Sequence, residues 1–244
     1  MIENYLNKIT CGDCYELIKD LPDKSIDCIY TDIPYLYDHG GGGSSDVAKR
    51  INRQHNEILV EIRDGIDYSL LEEFMRVMKK VNCFIWCSKN QIYDIIKFFV
   101  EYENKEIHFE ILTWNKTNPI PATNNVWLPD IEYCLYFREK GITLNDGYEH
   151  KSKWYTSAIN KSDKDIFEHP TIKPLALVKR HLLHATQPND IVLDCFMGSG
   201  TTAVACKEIG RQFIGFEISE KWCKVANDRL NNIDVNGQMS FFPR

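Results

Sequence analysis

The feature that most constrains the fold is a strand, a glycine loop and a helix near the C-terminal end, followed by a second strand. Residues 191–194 are predicted to be a buried strand, a loop with Gly198 and Gly200 follows, residues 201–209 have helical spacing, and residues 213–217 are again a strand. Two parallel strands joined by a helix are the repeating unit of α/β folds. The C-terminal part of the chain is therefore predicted to be a βαβ unit.

The rest of the chain continues this alternation. Apolar periodicity predicts helices over 15–21, 70–78, 92–100 and 174–183, a last helix capped by Ser219, and strands over 26–30, 83–86, 109–114 and 131–137. The last two of these strands are close enough in sequence to be antiparallel partners. We predict an α/β fold with a Rossmann-like, doubly wound, mostly parallel sheet that includes an antiparallel strand, in one domain of residues 1–244.

Composition narrows the class of protein. The net charge of −6 argues against a wholly basic nucleic-acid-binding protein, although a local basic face would be hidden in that sum. Nine cysteines without a signal-peptide pattern favour a reducing cytoplasm over a secreted, disulfide-rich protein. Cys11 and Cys14 have CxxC spacing, but no second pair completes a zinc site, so we predict no metal. No apolar run reaches the roughly 18 residues that cross a bilayer, so we expect no membrane partner.

Two segments lack a regular pattern. Segment 38–56 contains four consecutive glycines, which predict a mobile surface loop. Segment 140–168 is polar and aromatic without a clear period and is predicted to be an inserted loop region. Its lysines are interleaved with Trp154 and Tyr155, a combination that suits phosphate contact and base stacking. A solvated insertion is the alternative interpretation, because lysines usually face water.

The glycine loop and a later acidic residue predict a nucleoside-containing ligand. Glycines allow a polar ligand to approach the free amides at the start of the helix. Glu217 ends the next strand, where a carboxylate accepts hydrogen bonds from ribose hydroxyls in nucleotide-binding βαβ units. Thr201 occupies the place of a Walker lysine, which argues against a nucleotide triphosphatase. S-adenosylmethionine, which has a nucleoside but no phosphates, suits the loop better than NAD, and an ordinary tight turn is the alternative.

A second candidate site is the turn at residues 31–35, which follows the first predicted strand. An exocyclic amino group on a base is a poor nucleophile, because its lone pair is delocalised into the ring. In our interpretation the carboxylate of Asp32 and the carbonyl of Ile33 each accept one amino hydrogen. Pro34 keeps the preceding residue extended, and Tyr35 stacks on the ring. The competing interpretation is an ordinary turn, in which Asp and Pro are common.

Both turns resemble motifs of the amino-group DNA methyltransferases. The sequence Thr-Asp-Ile-Pro-Tyr resembles their Asp-Pro-Pro-Tyr catalytic motif, and Phe196-x-Gly198-x-Gly200 resembles their Phe-x-Gly-x-Gly cofactor motif. The catalytic motif precedes the cofactor motif, which is similar to the permuted β group of adenine-N6 and cytosine-N4 methyltransferases. Residues 12–14 match the family's segment near the cofactor adenine, and residues 169–174 match the stretch before the cofactor motif.

The resemblance implies a role for each matching residue. The catalytic residues it implies are Asp32, Ile33, Pro34 and Tyr35, and aspartate at the head of the motif favours adenine N6, with cytosine N4 as the alternative. The residues it implies for S-adenosylmethionine are Asp13, Cys14, Lys173, Asp194, Phe196, Gly198, Gly200, Thr201 and Glu217. Among these, Asp13 approaches the adenine, Glu217 binds the ribose, and Lys173 reaches the methionine carboxylate. A solvated surface lysine is the other interpretation of Lys173.

The chain departs from the family pattern at two positions. Ile33 replaces the first proline of the catalytic motif, which keeps the carbonyl, adds an amide hydrogen and leaves reduced activity open. Cys195 replaces the proline that usually follows the strand aspartate, and we expect this to change turn rigidity rather than chemistry.

The resemblance implies double-stranded DNA as the partner, with a flipped-out base as the substrate and segment 140–168 in the place where this family reads its target. Methylation of amino groups on RNA or protein, and an inactive DNA-binding module, are the rival functions. The sequence leaves open whether the chain forms a homodimer and whether a cognate restriction endonuclease accompanies it.

Overall fold

The computed structural model describes residues 1–36, 65–102, 105–119, 127–145, 151–159 and 172–232. In these ranges the strands are β1 (Lys8–Cys11), β2 (Cys28–Asp32), β3 (Asn82–Cys87), β4 (Ile107–Lys116), β5 (Ile131–Glu139), β6 (Trp154–Ser157), β7 (Ile191–Asp194) and β8 (Gln212–Glu217). The helices are α1 (Cys14–Leu17), α2 (Ser69–Val77), α3 (Ile92–Val100), α4 (Leu175–Ala185), α5 (Thr201–Glu208) and α6 (Glu220–Asn231). The loop predicted over 38–56 lies outside the described residues.

The strands form one mixed sheet in the order β1-β8-β7-β2-β3-β5-β4-β6. The first five strands in that order are mutually parallel, whereas β5 runs antiparallel to both β3 and β4. The predicted α/β fold with an antiparallel strand is confirmed. The strand order could not be predicted from the sequence, and it places β2 directly beside β7, where Cys28 pairs with Val192.

Alternation along the central strands divides the core between the two faces of the sheet. On β2, for example, Ile29 belongs to one buried cluster and its neighbour Tyr30 to the other, as expected for side chains that point to opposite faces. Helices α2 and α3 cover the first face through residues such as Phe74, and α4 and α5 cover the second through residues such as Leu177. Helices therefore lie on both faces of the sheet, as a doubly wound fold requires.

Three local predictions need correction. Strand β6 lies inside the segment that we predicted to be a loop, because its alternately exposed side chains give no apolar signal and main-chain pairing with β4 forms it. Strand β1, a short edge strand with one buried residue, was missed for the same reason. Ser219 is the N-cap residue of α6, but its side chain makes no capping hydrogen bond. No helix in the described ranges is long and apolar enough to span a bilayer.

Candidate active site

A cleft opens at the carboxyl ends of β2 and β7, the two strands at the centre of the parallel part of the sheet. These two strands are neighbours in the sheet, and the next strand in sequence lies on the outer side of each: β3 beside β2 and β8 beside β7. Ligands of open α/β sheets bind in the crevice at such a reversal of strand order. The cleft is lined by six of the predicted site residues, namely Asp32, Lys173, Asp194, Phe196, Gly198 and Thr201. The fold thus brings the turn at residues 31–35, named the catalytic turn for its predicted role, to the glycine loop.

The glycine loop has a backbone that favours glycine. Gly198 and Gly200 have φ angles of 54° and 84°, in the left-handed region. A Cβ atom on Gly200 would lie 3.0 Å from Cβ of Ala226 and 3.2 Å from its Cα atom, so α6 packs closely against this turn. Gly200 is also the N-cap residue of α5. Both predicted glycines are therefore required by the shape of the loop.

Asp194 holds the start of the loop against β2. Its carboxylate accepts hydrogen bonds from the Thr31 hydroxyl at 2.9 Å, the Phe196 amide at 3.1 Å and the Thr202 hydroxyl at 2.6 Å. Burial raises the pKa of Asp194 to about 7, and these hydrogen bonds only partly offset the effect of burial. In this structure Asp194 therefore acts as a buried support for the loop, which it joins to the first turn of α5.

Glu217 contacts the glycine loop directly. One carboxylate oxygen accepts a hydrogen bond from the Gly198 amide at 2.7 Å, and the other accepts one from the Ser219 amide at 2.9 Å. Burial raises the pKa of this carboxyl, and the amide hydrogen bonds act in the opposite direction. The Gly12 amide donates to the main-chain carbonyl of Glu217 at 2.8 Å, which brings the predicted adenine-side residue Asp13 beside the predicted ribose-side residue.

Arg229 supports the glycine loop from behind, and sequence reasoning missed it. This residue of α6 is 3% exposed, and its guanidinium donates to the Ser199 carbonyl at 3.2 Å and to the Thr201 hydroxyl at 3.0 Å. In the sequence of a polar helix, an arginine that will be buried cannot be distinguished from one that will be exposed. Only its position facing the loop reveals the contact.

The catalytic turn is held by its main chain. The Ile33 amide donates to the Trp86 carbonyl at 3.2 Å, which extends the pairing of β2 with β3 by one residue. The Pro34 carbonyl accepts a hydrogen bond from the Gln91 side chain at 2.9 Å. The amide hydrogen that Ile33 adds to the family motif thus makes a bond that proline cannot make. The Ile33 side chain is fully buried in the core.

Asp32 has one engaged and one open carboxylate oxygen. Its Oδ2 atom accepts a hydrogen bond from the Lys173 ammonium, whereas the buried Oδ1 atom has no hydrogen-bond partner among the described residues. Burial raises the pKa of Asp32, and the Lys173 charge opposes this rise. Since buried polar atoms are almost always satisfied, an open acceptor in a cleft marks the place where a donor on a ligand would bind.

Lys173 is buried rather than solvated, so the alternative interpretation as a surface lysine is wrong. Its ammonium contacts Asp32, the Tyr35 hydroxyl at 3.3 Å and Glu132 at 3.0 Å, and it lies 5.1 Å from the centre of the Trp86 ring. The neighbouring carboxylates raise the pKa of Lys173 despite its burial. Its three partners are therefore Asp32 and Tyr35 in the turn at residues 31–35 and Glu132 on β5, and the role at the methionine carboxylate stays a prediction.

Sequence reasoning missed Glu132, the second carboxylate at this site. Glu132 is the second residue of β5 and pairs with Lys173 on one side and with Lys116 at 2.6 Å on the other. Burial alone would raise its pKa, but the two lysines lower it to about 2. The antiparallel pairing of β5 with β3 brings the start of β5 to the carboxyl edge of the parallel strands. That pairing was needed to find this residue.

The remaining predicted residues lie away from the cleft. Cys14 is buried in the core at the start of α1, beside Cys195. The side chain of Asp13 caps α1 by accepting a hydrogen bond from the Tyr15 amide at 2.9 Å. All nine cysteines are free thiols, of which only Cys11 is exposed. Within the described residues no cluster of His, Cys, Asp or Glu could hold a metal ion.

The segment that we predicted to contact the target is only partly described. Trp154 is 58% exposed on β6, and Lys153 before it pairs with Glu110. Arg180 of α4 donates to the main-chain carbonyls of Ser152 and Trp154, which ties the segment to the core of the fold. Residues 146–150 and 160–171 lie outside the described ranges. The DNA-contacting role of this segment stays a prediction.

Comparison with known proteins decides the family. The family model of the N6/N4 DNA methylases matches residues 26–228, which include both turns and Glu132. This chain belongs to the N6/N4 DNA methylase family. The methylase is 30% identical to the Type II methyltransferase M2.LlaDCHI of Lactococcus lactis subsp. cremoris, over 90% of this chain and 87% of that protein. It is 29% identical to M2.DpnII of Streptococcus pneumoniae, over 94% and 93% of the two chains.

Solved structures agree with this assignment. The methylase resembles the M1.HpyAVI–SAM complex with a TM-score of 0.67 and 29% identity, over 92% of this chain and 99% of that chain. It also resembles the cytosine-N4-specific PvuII DNA methyltransferase with a TM-score of 0.64 over 90% and 84% of the chains, but at 14% identity this likeness concerns the fold alone.

Proposed function

We propose that this methylase transfers a methyl group from S-adenosylmethionine to the exocyclic amino group of a flipped-out DNA base, with adenine N6 as the favoured position. One observation carries the proposal: within the part of the chain that the structure describes, Oδ1 of Asp32 is a buried acceptor without a partner, in the cleft that the glycine loop also lines. A base amino group supplies the hydrogen that this oxygen lacks. Both substrates thereby meet at one site.

The residues present fit S-adenosylmethionine. Gly198 and Gly200 leave the loop without side chains where a ligand must approach. The buried Glu217 carboxylate accepts a hydrogen bond from the Gly198 amide, so it lies next to the loop. We assign the ribose to Glu217, the adenine side to Asp13 and the floor of the site to Phe196 and Thr201. When bound, S-adenosylmethionine supplies an electrophilic methyl group.

The residues of the catalytic turn act on the amino group. Accepting an amino hydrogen on Oδ1 of Asp32, and a second on the Ile33 carbonyl, favours a pyramidal nitrogen whose lone pair leaves the ring. Tyr35 supports the flipped base by stacking. The β2–β3 pairing and the Gln91 side chain hold the turn in place, so that the acceptors are positioned before the base arrives.

The amino group of cytosine offers the same donor geometry, so cytosine N4 is the second candidate. The decisive test is incubation of the purified protein with labelled S-adenosylmethionine and unmethylated genomic DNA, followed by digestion to nucleosides and mass spectrometry. We expect N6-methyladenine. N4-methylcytosine would reverse the base assignment, and absence of any DNA product, despite cofactor binding, would refute the proposed function.

The substitution Asp32→Ala tests the catalytic assignment. It removes the open acceptor but leaves the glycine loop intact, so we expect methyl transfer to fall at least about a hundredfold, with the affinity for S-adenosylmethionine within about threefold of wild type. Asp94→Ala, on the exposed face of α3, is the matched control. A normal transfer rate in the Asp32 variant would show that the assignment is wrong.

We further propose a cytoplasmic enzyme of a restriction–modification system that acts on double-stranded DNA, in keeping with nine free thiols and with relatives named Type II methyltransferases. A short recognition segment favours a homodimer, and relatives named Type II methyltransferases favour a cognate restriction endonuclease that reads the same site. Light scattering coupled to size-exclusion chromatography, with and without DNA, tests the dimer.

A further inference from the structure

Four charged side chains form a continuous chain from the end of β4 to the catalytic turn. Lys116 pairs with Oε1 of Glu132 at 2.6 Å, Oε2 of Glu132 pairs with Lys173 at 3.0 Å, and Lys173 pairs with Asp32. The lysine at the centre is 6% exposed, and the side chains of Lys116 and Glu132 are 14% and 16% exposed. The Asp32 side chain, at the cleft end of the chain, is 28% exposed. Two carboxylates and two ammonium groups therefore balance one another in a region that is open to water mainly at Asp32.

The arrangement of these four charges decides which oxygen of Asp32 is free to accept a hydrogen bond from a ligand. Lys173 has two carboxylate partners, and attraction between charges is strong in a poorly hydrated site. Because Glu132 is a second counter-ion of Lys173, the negative charge of Asp32 is only partly neutralised. Asp32 therefore remains a strong acceptor for a further hydrogen bond. The ammonium is simultaneously fixed on Oδ2, and this leaves Oδ1 as the open oxygen.

We infer that Glu132 is a positioning residue for methyl transfer: it anchors Lys173 on Oδ2 of Asp32, so that Oδ1 faces the cleft as the acceptor for the base amino group. This inference rests on the proposed function. Glu132 touches neither substrate in this arrangement. It acts through Lys173, and its Oε2 atom also accepts a hydrogen bond from the Tyr35 hydroxyl at 3.5 Å. Lys116 completes the chain as the second counter-ion of Glu132.

Removing the Glu132 charge is expected to slow chemistry rather than weaken binding. In Glu132→Gln, Lys173 keeps only Asp32 as a counter-ion and faces the uncompensated charge of Lys116. Asp32 is then neutralised more completely and accepts the amino hydrogen less well. We expect the single-turnover rate of methyl transfer to fall at least tenfold, with the affinities for S-adenosylmethionine and DNA within about threefold of wild type.

Two further variants separate positioning from simple charge balance. Glu139→Gln is the matched control, because Glu139 pairs with Lys105 at 2.7 Å at the opposite end of the same strand. The double variant Glu132→Gln/Lys116→Met restores neutrality without restoring the anchor on Lys173. It also remains informative if the single variant folds poorly. The rate is expected to stay low in the double variant and normal in Glu139→Gln.

A second readout does not depend on activity. Competitive acetylation with acetic anhydride, followed by mass spectrometry, measures how readily the Lys173 amine reacts. We expect its reactivity to rise at least threefold in Glu132→Gln and not in Glu139→Gln, since an ammonium that has lost a counter-ion releases its proton more easily. A wild-type protein without any DNA product would refute the proposed function, whereas this labelling would still test the anchor.

The inference is overturned if transfer by Glu132→Gln stays within threefold of that by Glu139→Gln. Recovery of the wild-type rate in the double variant would also overturn it, because Glu132 would then only balance Lys116. Unchanged reactivity of Lys173 would show that Glu132 does not anchor the lysine. The inference is supported if both Glu132 variants transfer the methyl group slowly but bind S-adenosylmethionine and DNA normally, and if Lys173 is more reactive.

Discussion

Asp194 shows how one buried residue can serve a site without reacting in it. Its three hydrogen bonds join β2, the glycine loop and α5, and burial raises its pKa to about 7. Between about pH 4 and pH 7 the folded protein therefore holds a proton that the unfolded chain has lost. The contribution of Asp194 to the free energy of unfolding is therefore expected to fall as pH rises through this window, by up to about 1.4 kcal/mol per pH unit.

The substitution Asp194→Asn tests this account, since asparagine preserves the shape and cannot ionise. We expect the stability of the variant relative to wild type to increase from pH 4 to pH 7 and to stay constant above pH 7. Urea unfolding at each pH measures the difference, with Asp94→Asn as the exposed control. A difference that does not vary with pH would contradict a raised pKa at Asp194.

At the scale of an element, the end of β2 explains why this chain departs from the family motif. Ile33 bonds Trp86 through its amide and fills the core with its side chain. We expect Ile33→Pro, which restores the family motif, to lower stability by about 2–4 kcal/mol, because it loses a ladder hydrogen bond and a buried side chain. That corresponds to roughly 4–16 °C in melting temperature for a domain of this size.

Ile33→Val is the control for this prediction. It keeps the amide and removes one methylene group, so a loss of only about 0.5–1.5 kcal/mol is expected. Thermal unfolding of both variants, followed by circular dichroism, gives the comparison. Equal losses would mean that the amide contributes nothing to the end of β2.

At the scale of the whole molecule, the proposed cofactor site joins distant parts of the chain. Asp13 follows β1, Glu217 ends β8, and the two strands pair in parallel at one edge of the sheet. A ligand that contacts both therefore stabilises the entire fold. S-adenosylmethionine at a hundred times its dissociation constant is expected to add about 2.7 kcal/mol, or roughly 5–10 °C in melting temperature.

Glu217→Ala is expected to remove most of this shift, with a loss of affinity of at least about tenfold, because the ribose loses a charged acceptor. Glu220→Ala, on the exposed start of α6, should keep the shift. Calorimetric titration measures the affinities directly. Unchanged affinity in the Glu217 variant would reject its ribose role.

Local pattern determined much of this protein. The βαβ unit with its two glycines, the acidic turn and the doubly wound class all follow from short-range signals, since periodicity and glycine backbone angles are properties of neighbouring residues. Strand order is different, because it depends on which edges pair in space. The tertiary structure alone placed β2 beside β7, brought Glu132 to the catalytic turn through antiparallel β5, and buried Lys173 and Arg229 among polar partners. A charged side chain looks the same in sequence whether it is solvated or paired in the interior, and only the fold decides which.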